Sequence, residues 1–346
     1  MADLSLFDHN AAGNPNNNIF GLPFTEDDAS LVLVPVPWEV TVSYKAGTAR
    51  APERMFKSGL QIDIFDEDMR DVWKKGFYMR EADKKILLKS DYLRKEAELY
   101  INYISQGENI SNNKFMCKTL KEVNEGSMFL NKWVFDQTSE LLEKGKLVGI
   151  VGGDHSTALG FLKALAENHS SFGILQIDAH CDLREAYEGF THSHASIMYN
   201  VLKEIPQVTK VVQTGIRDFS DGEFQYINKS EGRISAFTSK QIRERIYCGE
   251  TWNRIAEDIV SELPEKVYVS FDIDGLDQKL CPYTGTPVPG GFEFDEINFL
   301  LKKLISSGKK LIGFDLSETG ISSNEWDENV GARVLFKLCH FMVASN

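Results

Sequence analysis

The chain has few cysteines, and they follow no recognisable pattern. Its 346 residues include five, at Cys117, Cys181, Cys248, Cys281 and Cys339. Their number is odd and no two of them form a Cys-x-x-Cys pair, which argues against a disulfide framework and against a thiolate zinc site. Such a pattern is typical of proteins from a reducing compartment.

Long apolar runs are also missing. No stretch approaches the roughly 18 apolar residues of a membrane span. Residues 1–18 carry neither a basic segment nor an apolar segment of the kind that secretory leaders have. We therefore predict a soluble, cytoplasmic protein with no membrane partner.

Basic residues are in deficit. The sequence has 38 Lys and Arg against 51 Asp and Glu, a formal net charge of -13. This charge repels nucleic acid and anionic lipid and attracts cationic small molecules into a cleft, although many proteins are acidic only for solubility. We expect a small-molecule substrate and no nucleic-acid partner.

No linker and no internal repeat divides the chain. We predict an irregular lead-in over residues 1–29 and a single domain over 30–346. Short β-branched apolar runs alternate with helical patterns, which predicts an α/β fold of three layers, α/β/α, around a mostly parallel sheet. Strands are predicted at residues 31–36, 147–151, 172–177, 209–214, 234–237, 266–271 and 310–315. Helices are predicted at 157–168, 195–204, 251–262, 295–306 and about 329–343, and residues 93–145 look mostly helical with a break near 107–113.

Three polar clusters each follow a predicted strand. They are Gly-Gly-Asp-His-Ser at residues 152–156, Ile-Asp-Ala-His-Cys-Asp at 177–182, and Ser-Phe-Asp-Ile-Asp-Gly-Leu-Asp at 270–277. Open α/β sheets place ligand sites at the carboxyl ends of their strands. In the middle cluster, Asp178, His180 and Asp182 occupy alternate positions, so an extended backbone would point all three the same way.

These clusters supply six candidate metal ligands: His155, Asp178, His180, Asp182, Asp272 and Asp274. Four carboxylates and two imidazoles are too oxygen-rich for a structural zinc site, and they suffice for two ions only if carboxylates bridge. Such a set suits Mn²⁺ best, with Ni²⁺ or another divalent metal as the alternative. Two bridged ions produce hydroxide at neutral pH, which would attack a carbonyl, amidine or guanidinium carbon. A structural alternative exists for Asp154 and Ser156, which could simply cap a helix.

The three clusters, in this order, resemble the signatures of the ureohydrolase family of arginases, agmatinases and formimidoylglutamases. Residues 215–218, 284–291 and 315–318 are also similar to family segments. The similarity covers roughly residues 30–343 and is weak over the lead-in and over a mostly helical, family-atypical segment at about 62–145. It implies an arginase-like fold and a trimer or hexamer.

The resemblance also implies a role for each site residue. One manganese ion would be held by His155, Asp178, Asp182 and Asp272, and a second by Asp178, His180, Asp272 and Asp274. Asp178 and Asp272 would bridge, which makes Asp178 part of the catalytic centre, and Asp277 would support the ligands from outside. Glu318 would bind the guanidinium, and His194 would carry a proton to the leaving amine.

Elementary chemistry agrees with the last two roles. A carboxylate such as Glu318 grips a guanidinium through charge-assisted bidentate bonds, and an expelled amine needs a proton donor that titrates near neutrality. His192 is a rival for His194, two residues away. We expect His9, His169 and His340 to be surface or packing residues, Cys181 to point away from the ligands, and residues 285–291 to form a rigid loop near the mouth.

The sequence says less about the part of the substrate that lies away from the guanidinium. The segment after the middle cluster looks more like agmatinases than animal-type arginases, and Glu185 and Glu188 would suit a terminal ammonium. This favours hydrolysis of agmatine to putrescine and urea by a metal-bridging hydroxide. Arg184 instead suits a carboxylate tail, as in arginine, another guanidino acid or formimidoylglutamate, unless it pairs with a neighbouring acid. Free guanidine is a further alternative substrate.

Two alternatives come from other classes. A metal-dependent deacetylase has a related fold but needs a single zinc and fewer ligands. A non-catalytic binding protein would not need His194 and Glu318 beside the metal ligands. The intact set of ligands argues against both.

Overall fold

A parallel β-sheet forms the centre of the molecule. The computed structural model describes Leu4, Ser5 and residues 7–346. The strands of this part of the chain are β1 Leu31–Val36, β2 Phe77–Met79, β3 Leu147–Gly152, β4 Phe172–Ile177, β5 Val208–Thr214, β6 Ile234–Phe237, β7 Lys266–Asp272 and β8 Lys310–Ser317. They form an eight-stranded sheet in the order β2-β1-β3-β8-β7-β4-β5-β6, with every pairing parallel.

Helices cover both faces of this sheet. They are α1 Ala51–Gly59, α2 Lys84–Ser105, α3 Lys114–Glu143, α4 Leu159–Asn168, α5 Ile197–Glu204, α6 Asp221–Asn228, α7 Ser239–Tyr247, α8 Trp252–Ser261, α9 Phe294–Ser306 and α10 Trp326–Ala344. Successive side chains of a strand point to opposite faces. Accordingly, Leu31 and Leu33 pack in one core cluster with α1, α8, α9 and α10. Val32 and Val34 pack in the other cluster, with α2, α3, α4 and α5. The predicted three-layer α/β/α architecture is confirmed.

Helices α3 and α4 pack unusually closely. A Cβ atom built on Gly160 of α4 would lie 2.3 Å from the carbonyl oxygen of Asn131 in α3 and 2.8 Å from the Cβ atom of Val134. We predict that Gly160→Ala lowers the free energy of unfolding by about 1–3 kcal/mol, the usual cost of overpacking. Denaturant unfolding would measure this change. Gly222→Ala is the matched helical control, since the nearest atom to its Cβ would be Ser220 Oγ at 3.9 Å. An equal loss of stability in both variants would contradict the prediction.

Most predicted strands and helices lie where the sequence places them, within a few residues, but some elements were not predicted. Strand β2 lies inside the segment 62–145, and α2 begins at Lys84 rather than near 93. Helices α6 and α7 were missed as well. The division into a lead-in and a single domain stays a prediction. Among the residues described, no helix combines the length and the apolar character that crossing a membrane requires.

Candidate active site

The three polar clusters meet at one edge of the sheet. His155 follows β3 in a short 3-10 turn, Asp178 follows β4 directly, and Asp272 ends β7. Parallel strands present their carboxyl ends at the same edge. The turns after β3 and β7 are fixed by caps: Asp154 Oδ1 accepts the Ser156 N–H at 3.0 Å, and Asp272 Oδ1 accepts the Asp274 N–H at 2.9 Å. Asp154 therefore has the capping role that its sequence position allowed.

One group of candidate ligands surrounds the imidazole of His155. Its Nδ1 atom lies 2.9 Å from Asp182 Oδ2, 3.2 Å from Asp178 Oδ2 and 3.5 Å from Asp272 Oδ2. All four side chains are buried. Asp182 has a left-handed backbone, with φ of 53°, so it reaches the group from a turn and not from an extended strand.

A second group adjoins the first. The Nδ1 atom of His180 lies 3.1 Å from Asp274 Oδ2 and 3.6 Å from Asp178 Oδ1. Asp178 thus offers one carboxylate oxygen to each group, which is the arrangement that a bridging carboxylate requires. Each of two groups could hold a metal ion: His155 with Asp178 and Asp182, and Asp178 with His180 and Asp274.

The electrostatics of this cluster fit a bound cation. His155 Nδ1 and Asp274 Oδ2 are buried with no hydrogen-bond partner among the described residues. Burial, and then the charge of Asp178, raise the pKa of Asp182 to about 7. Burial would lower the pKa of His155, yet the nearby carboxylates of Asp178 and Asp182 raise it well above the usual value. The cluster therefore has an excess of negative charge, which a divalent ion would neutralise.

A buried relay fixes the orientation of His155. Its Nε2 atom lies 2.8 Å from Ser270 Oγ, and that hydroxyl donates to Asp315 Oδ1 at 2.9 Å. Because the Ser270 hydroxyl donates to Asp315, its oxygen accepts a hydrogen bond from the Nε2–H of His155. This leaves Nδ1, on the side of the carboxylates, as the atom that could bind a metal ion, which is how second-shell partners orient histidine ligands.

Two buried amides fix Asp178. Gln213 Nε2 donates to Gln176 Oε1 at 2.7 Å, and Gln176 Nε2 donates to Asp178 Oδ2 at 2.8 Å. The Asp178 Oδ1 atom accepts the His180 N–H at 2.6 Å. These bonds hold the shared carboxylate in one orientation.

Glu318 lies beside the cluster, immediately after β8. Its backbone is left-handed, with φ of 58°, and its N–H donates to the Gly153 carbonyl at 2.8 Å. Its Oε1 atom accepts the His155 N–H at 3.0 Å. Burial raises its pKa well above the usual value. The carboxylate is thus positioned next to the candidate metal ligands, and no ion pair joins it to a cation among the described residues.

His194 borders the same pocket. Its N–H donates to Thr41 Oγ1 at 3.1 Å, and its ring meets the Tyr187 ring edge-on at 6.3 Å. Burial, and then the charge of His180, lower its pKa to about 3, so the imidazole is neutral at pH 7. It must therefore accept a proton before it can pass one on. His192 lies elsewhere, near Glu204 at 3.9 Å.

A cavity of about 340 Å³ opens over the cluster. This volume suits a small-molecule ligand. Its walls include His155, His180, Asp182, Arg184, His194, Asp272 and Glu318 from the sequence predictions, together with Ser43, Tyr44, Tyr187, Asp218, Glu223, Thr286, Pro287 and Val288. The second set was not predicted as site residues, although residues 215–218 and 284–291 had been noted as family-like segments.

The three residues predicted to bind the far end of the substrate lie in different places. Arg184 lines the cavity, but its Nε lies 3.7 Å from Glu223 Oε2 and its guanidinium lies 4.8 Å from the Tyr187 ring centre. Glu185 is exposed and hydrogen-bonds to Tyr199. Glu188 is half-buried, near Arg94, and is not part of the cavity wall described above.

Two other predicted positions have local roles. Asp277 Oδ1 accepts the N–H of Lys279 at 3.0 Å, which stabilises its own turn. Cys181 is fully buried in the core, and burial raises the pKa of its thiol, so it is not a nucleophile. The loop at 284–291 is held by Arg217, which donates to the Val288 carbonyl at 2.9 Å and to the Pro289 carbonyl at 3.2 Å.

Comparison with known proteins gives consistent matches. The model of the arginase family matches residues 29–340. The N(1)-aminopropylagmatine ureohydrolase of Synechocystis sp. is 28% identical over 320 residues, which cover 90% of this chain and 88% of that protein. The enzyme of the same name from Thermus thermophilus is 25% identical over 312 residues, covering 90% and 89%. The agmatine ureohydrolase of Thermoplasma volcanium superposes with a TM-score of 0.69 at 20% identity, covering 98% of this chain and 96% of that one, which shows a shared fold.

Proposed function

The chain belongs to the arginase family, and we propose that it releases urea from a guanidino compound with a cationic tail, either agmatine or an aminopropyl-extended agmatine. One observation carries the proposal: the cluster of candidate metal ligands, Glu318 and the exposed Asp218 all border one cavity. The names of the relatives from Synechocystis and Thermus support this substrate class.

Glu318 would bind the guanidinium head. Its carboxylate is buried beside the cluster and accepts only a backbone N–H from His155 among the hydrogen bonds described. A guanidinium would supply the missing charge and two parallel N–H donors. Gly285 leaves room for this contact, because a Cβ atom there would lie 2.9 Å from Glu318 Oε2.

The six ligands would hold two Mn²⁺ ions. His155, Asp178, Asp182 and Asp272 surround one position, and Asp178, His180 and Asp274 surround a neighbouring one. An oxygen-rich set of this kind suits Mn²⁺. When bound, a pair of divalent ions acidifies water so that hydroxide forms at neutral pH.

His194 would transfer a proton to the leaving amine. Burial lowers its pKa to about 3, so the ring is neutral at pH 7 and would receive its proton only during the reaction, from the attacking water. Once protonated, the imidazolium can donate to the amine as the C–N bond breaks. The backbone bond to Thr41 and the ring contact with Tyr187 hold the imidazole at the cavity wall.

The mouth of the cavity favours a cationic tail. Asp218 is exposed and lines the wall, so its carboxylate is available to a substrate ammonium. Arg184 is already engaged by Glu223 and by the Tyr187 ring. The pairing of Arg184 with an acid removes its sequence-based argument for a carboxylate tail. The net charge of -13 acts in the same direction.

A guanidino acid is the second candidate, because Arg184 keeps 42% of its side chain exposed at the wall. The deciding experiment measures urea release by Mn²⁺-loaded protein from agmatine, aminopropylagmatine, arginine and guanidinobutyrate, and formamide release from formimidoylglutamate. We expect kcat/KM for the two cationic tails to be at least about tenfold higher. A preference for the acids would favour the second candidate, and no release from any of them would overturn both.

The variant Arg184→Met tests how the tail is recognised. We expect kcat/KM for agmatine to rise about two- to tenfold, because a like charge is removed from the mouth. Arg254→Met, on the surface of α8, is the matched control and should leave kcat/KM unchanged. A tenfold fall for Arg184→Met alone would mean that Arg184 binds the substrate directly.

Assembly and location remain part of the proposal. We expect a homo-oligomer, either a trimer or a hexamer, in the cytoplasm. Light scattering after gel filtration would measure the number of chains, and a monomer would contradict this expectation.

A further inference from the structure

Helices α2 and α3 lie outside the sequence motifs, yet they contact the cavity wall at several points. We propose that Arg94 of α2 and Asn124 of α3 are positioning residues that hold His194 and Tyr187 in place for the reaction. This inference rests on the proposed function for its catalytic consequence. The positions of the turn Tyr187–Phe190 and of the loop around Thr41 do not depend on that function, because they follow from contacts described below.

The turn Tyr187–Phe190 connects the cavity wall with the two helices. The Phe190 N–H donates to the Tyr187 carbonyl at 2.9 Å. Its central residues, Glu188 and Gly189, have φ of 55° and 85°, as the two central residues of type I′ turns do. Tyr187 lines the cavity, while the Phe190 ring packs on Tyr100 of α2 with centroids 5.3 Å apart.

Asn124 binds this loop with both ends of its amide. Its Oδ1 atom accepts the Thr191 N–H at 2.9 Å and the Thr191 hydroxyl at 3.2 Å. Its Nδ2 atom donates to the Gly189 carbonyl at 3.2 Å. A single side chain of α3 therefore fixes the backbone on both sides of Phe190.

The fit between this turn and the helices leaves no spare room. A Cβ atom on Gly189 would lie 3.0 Å from the Tyr100 hydroxyl and 3.3 Å from Leu120 of α3. The positive φ of Gly189 also disfavours any other residue. A larger residue at this position would therefore strain the turn and displace the Tyr100 and Leu120 side chains.

Arg94 reaches His194 through the loop after β1. Its Nη1 atom donates to the carbonyls of Val40 and Val42, one on each side of Thr41. The Thr41 hydroxyl in turn accepts the N–H of His194 at 3.1 Å. The guanidinium of Arg94 is itself oriented by Glu98, at 3.0 Å from Nε.

Glu188 belongs to this contact and not to the substrate pocket. The sequence had suggested that its carboxylate meets the substrate ammonium. In the structure the side chain is half-buried, one carboxylate oxygen is buried with no hydrogen-bond partner among the described residues, and the nearby charge of opposite sign is Arg94. Arg94 therefore attracts both the loop after β1 and the turn Tyr187–Phe190.

Small displacements of these groups would be costly. The rings of Tyr187 and His194 touch edge-on, so a shift of the turn is passed to His194. A misplacement of about 1 Å can cost on the order of 100-fold in rate. Loosening the contact should therefore lower turnover while the metal ligands, which lie on the strand ends, keep their ions.

The test compares Asn124→Leu with Lys121→Leu in full-length, Mn²⁺-loaded protein. Lys121 is an exposed residue one turn away on α3, paired only with Glu125 among the ion pairs described. We expect Asn124→Leu to lower kcat on agmatine about 10- to 100-fold at unchanged metal content, and Lys121→Leu to stay within twofold of the wild type. Asn124→Asp keeps both acceptor bonds and should recover much of the loss. Wild-type kcat in Asn124→Leu, loss of metal together with activity, or no recovery in Asn124→Asp would each overturn the proposal.

Amide hydrogen exchange separates this proposal from the proposed function. The N–H groups of Thr191 and His194 bond to Asn124 and to Thr41. Asn124→Leu should speed exchange of residues 187–194 at least about tenfold, and Lys121→Leu should not. If the wild type hydrolyses no guanidino compound, the proposed function fails. Hydrogen exchange would still show whether Asn124 holds the turn Tyr187–Phe190 in place. Unchanged exchange in Asn124→Leu would overturn the positioning role, whatever the substrate.

Discussion

Asp178→Asn is expected to remove bound metal and urea release together. Asp178 offers one oxygen to the group around His155 and the other to His180, so the variant loses the charge that both positions share. The loss of metal affinity should exceed the roughly 10- to 100-fold that is typical of a supporting residue. Metal analysis after gel filtration and a urea assay on the same sample would measure both effects.

Asp277→Asn is the matched control for this variant. The Asp277 carboxylate accepts a backbone N–H in its own turn, so its amide analogue should keep both ions and most of the activity. If Asp178→Asn retained a full complement of metal, the shared-carboxylate geometry would have no role in metal binding. If Asp277→Asn lost metal as well, the support from outside the cluster that the family resemblance implies would be correct.

His194→Ala is expected to have the second-largest effect, with a different signature. General acid–base groups contribute about 10²- to 10⁴-fold to a rate, and the loss should appear in kcat. The metal content should not change, because the contacts described for His194 are to Thr41, Ser193 and Tyr187. Steady-state kinetics and metal analysis would distinguish this variant from Asp178→Asn.

His192→Ala serves as the comparison for His194→Ala. His192 hydrogen-bonds to Thr191 and lies near Glu204, so its removal should leave kcat within a few-fold of the wild type. Full activity in His194→Ala, or an equal loss in both variants, would show that His194 does not carry the proton.

The positions of the strand ends could be predicted from the sequence. Buried parallel strands appear as short apolar runs, and His155, Asp178 and Asp272 each follow such a run. Because parallel strands end at one edge, the three residues were expected at the same edge, and the strand order β3-β8-β7-β4 brings them close together.

Asp182 lies beside His155, as its alternate position in the sequence predicted, but its backbone is not the extended one on which that prediction relied. The prediction assumed an extended backbone from Asp178 to Asp182, but β4 ends at Ile177 and Asp182 is left-handed. Asp182 still reaches His155, because its own left-handed backbone makes a turn there. Alternation alone does not reveal such a turn.

Short or polar elements escaped prediction. Strand β2 has three residues, too few to show a period. Helices α6 and α7 are polar, but each begins with a capping box, Ser220 with Glu223 and Thr238 with Gln241. That signal was available in the sequence and would have identified both helices.

The cavity mouth could not be predicted because it depends on packing between distant segments. Glu185 and Glu188 were chosen for their proximity to the middle cluster in sequence. The turn Tyr187–Phe190 directs Glu188 towards Arg94, while Asp218 reaches the mouth from the end of β5. The packing of that turn on α2 and α3 therefore places Glu188 beside Arg94 and not in the cavity wall.

A titration of metal-free protein with Mn²⁺ tests the central claim most directly, with urea release from agmatine measured at each step. The account predicts that activity rises until two equivalents are bound per chain and then stays constant, because the two groups of ligands share Asp178. Saturation at one equivalent, or urea release that does not depend on the metal, would contradict it.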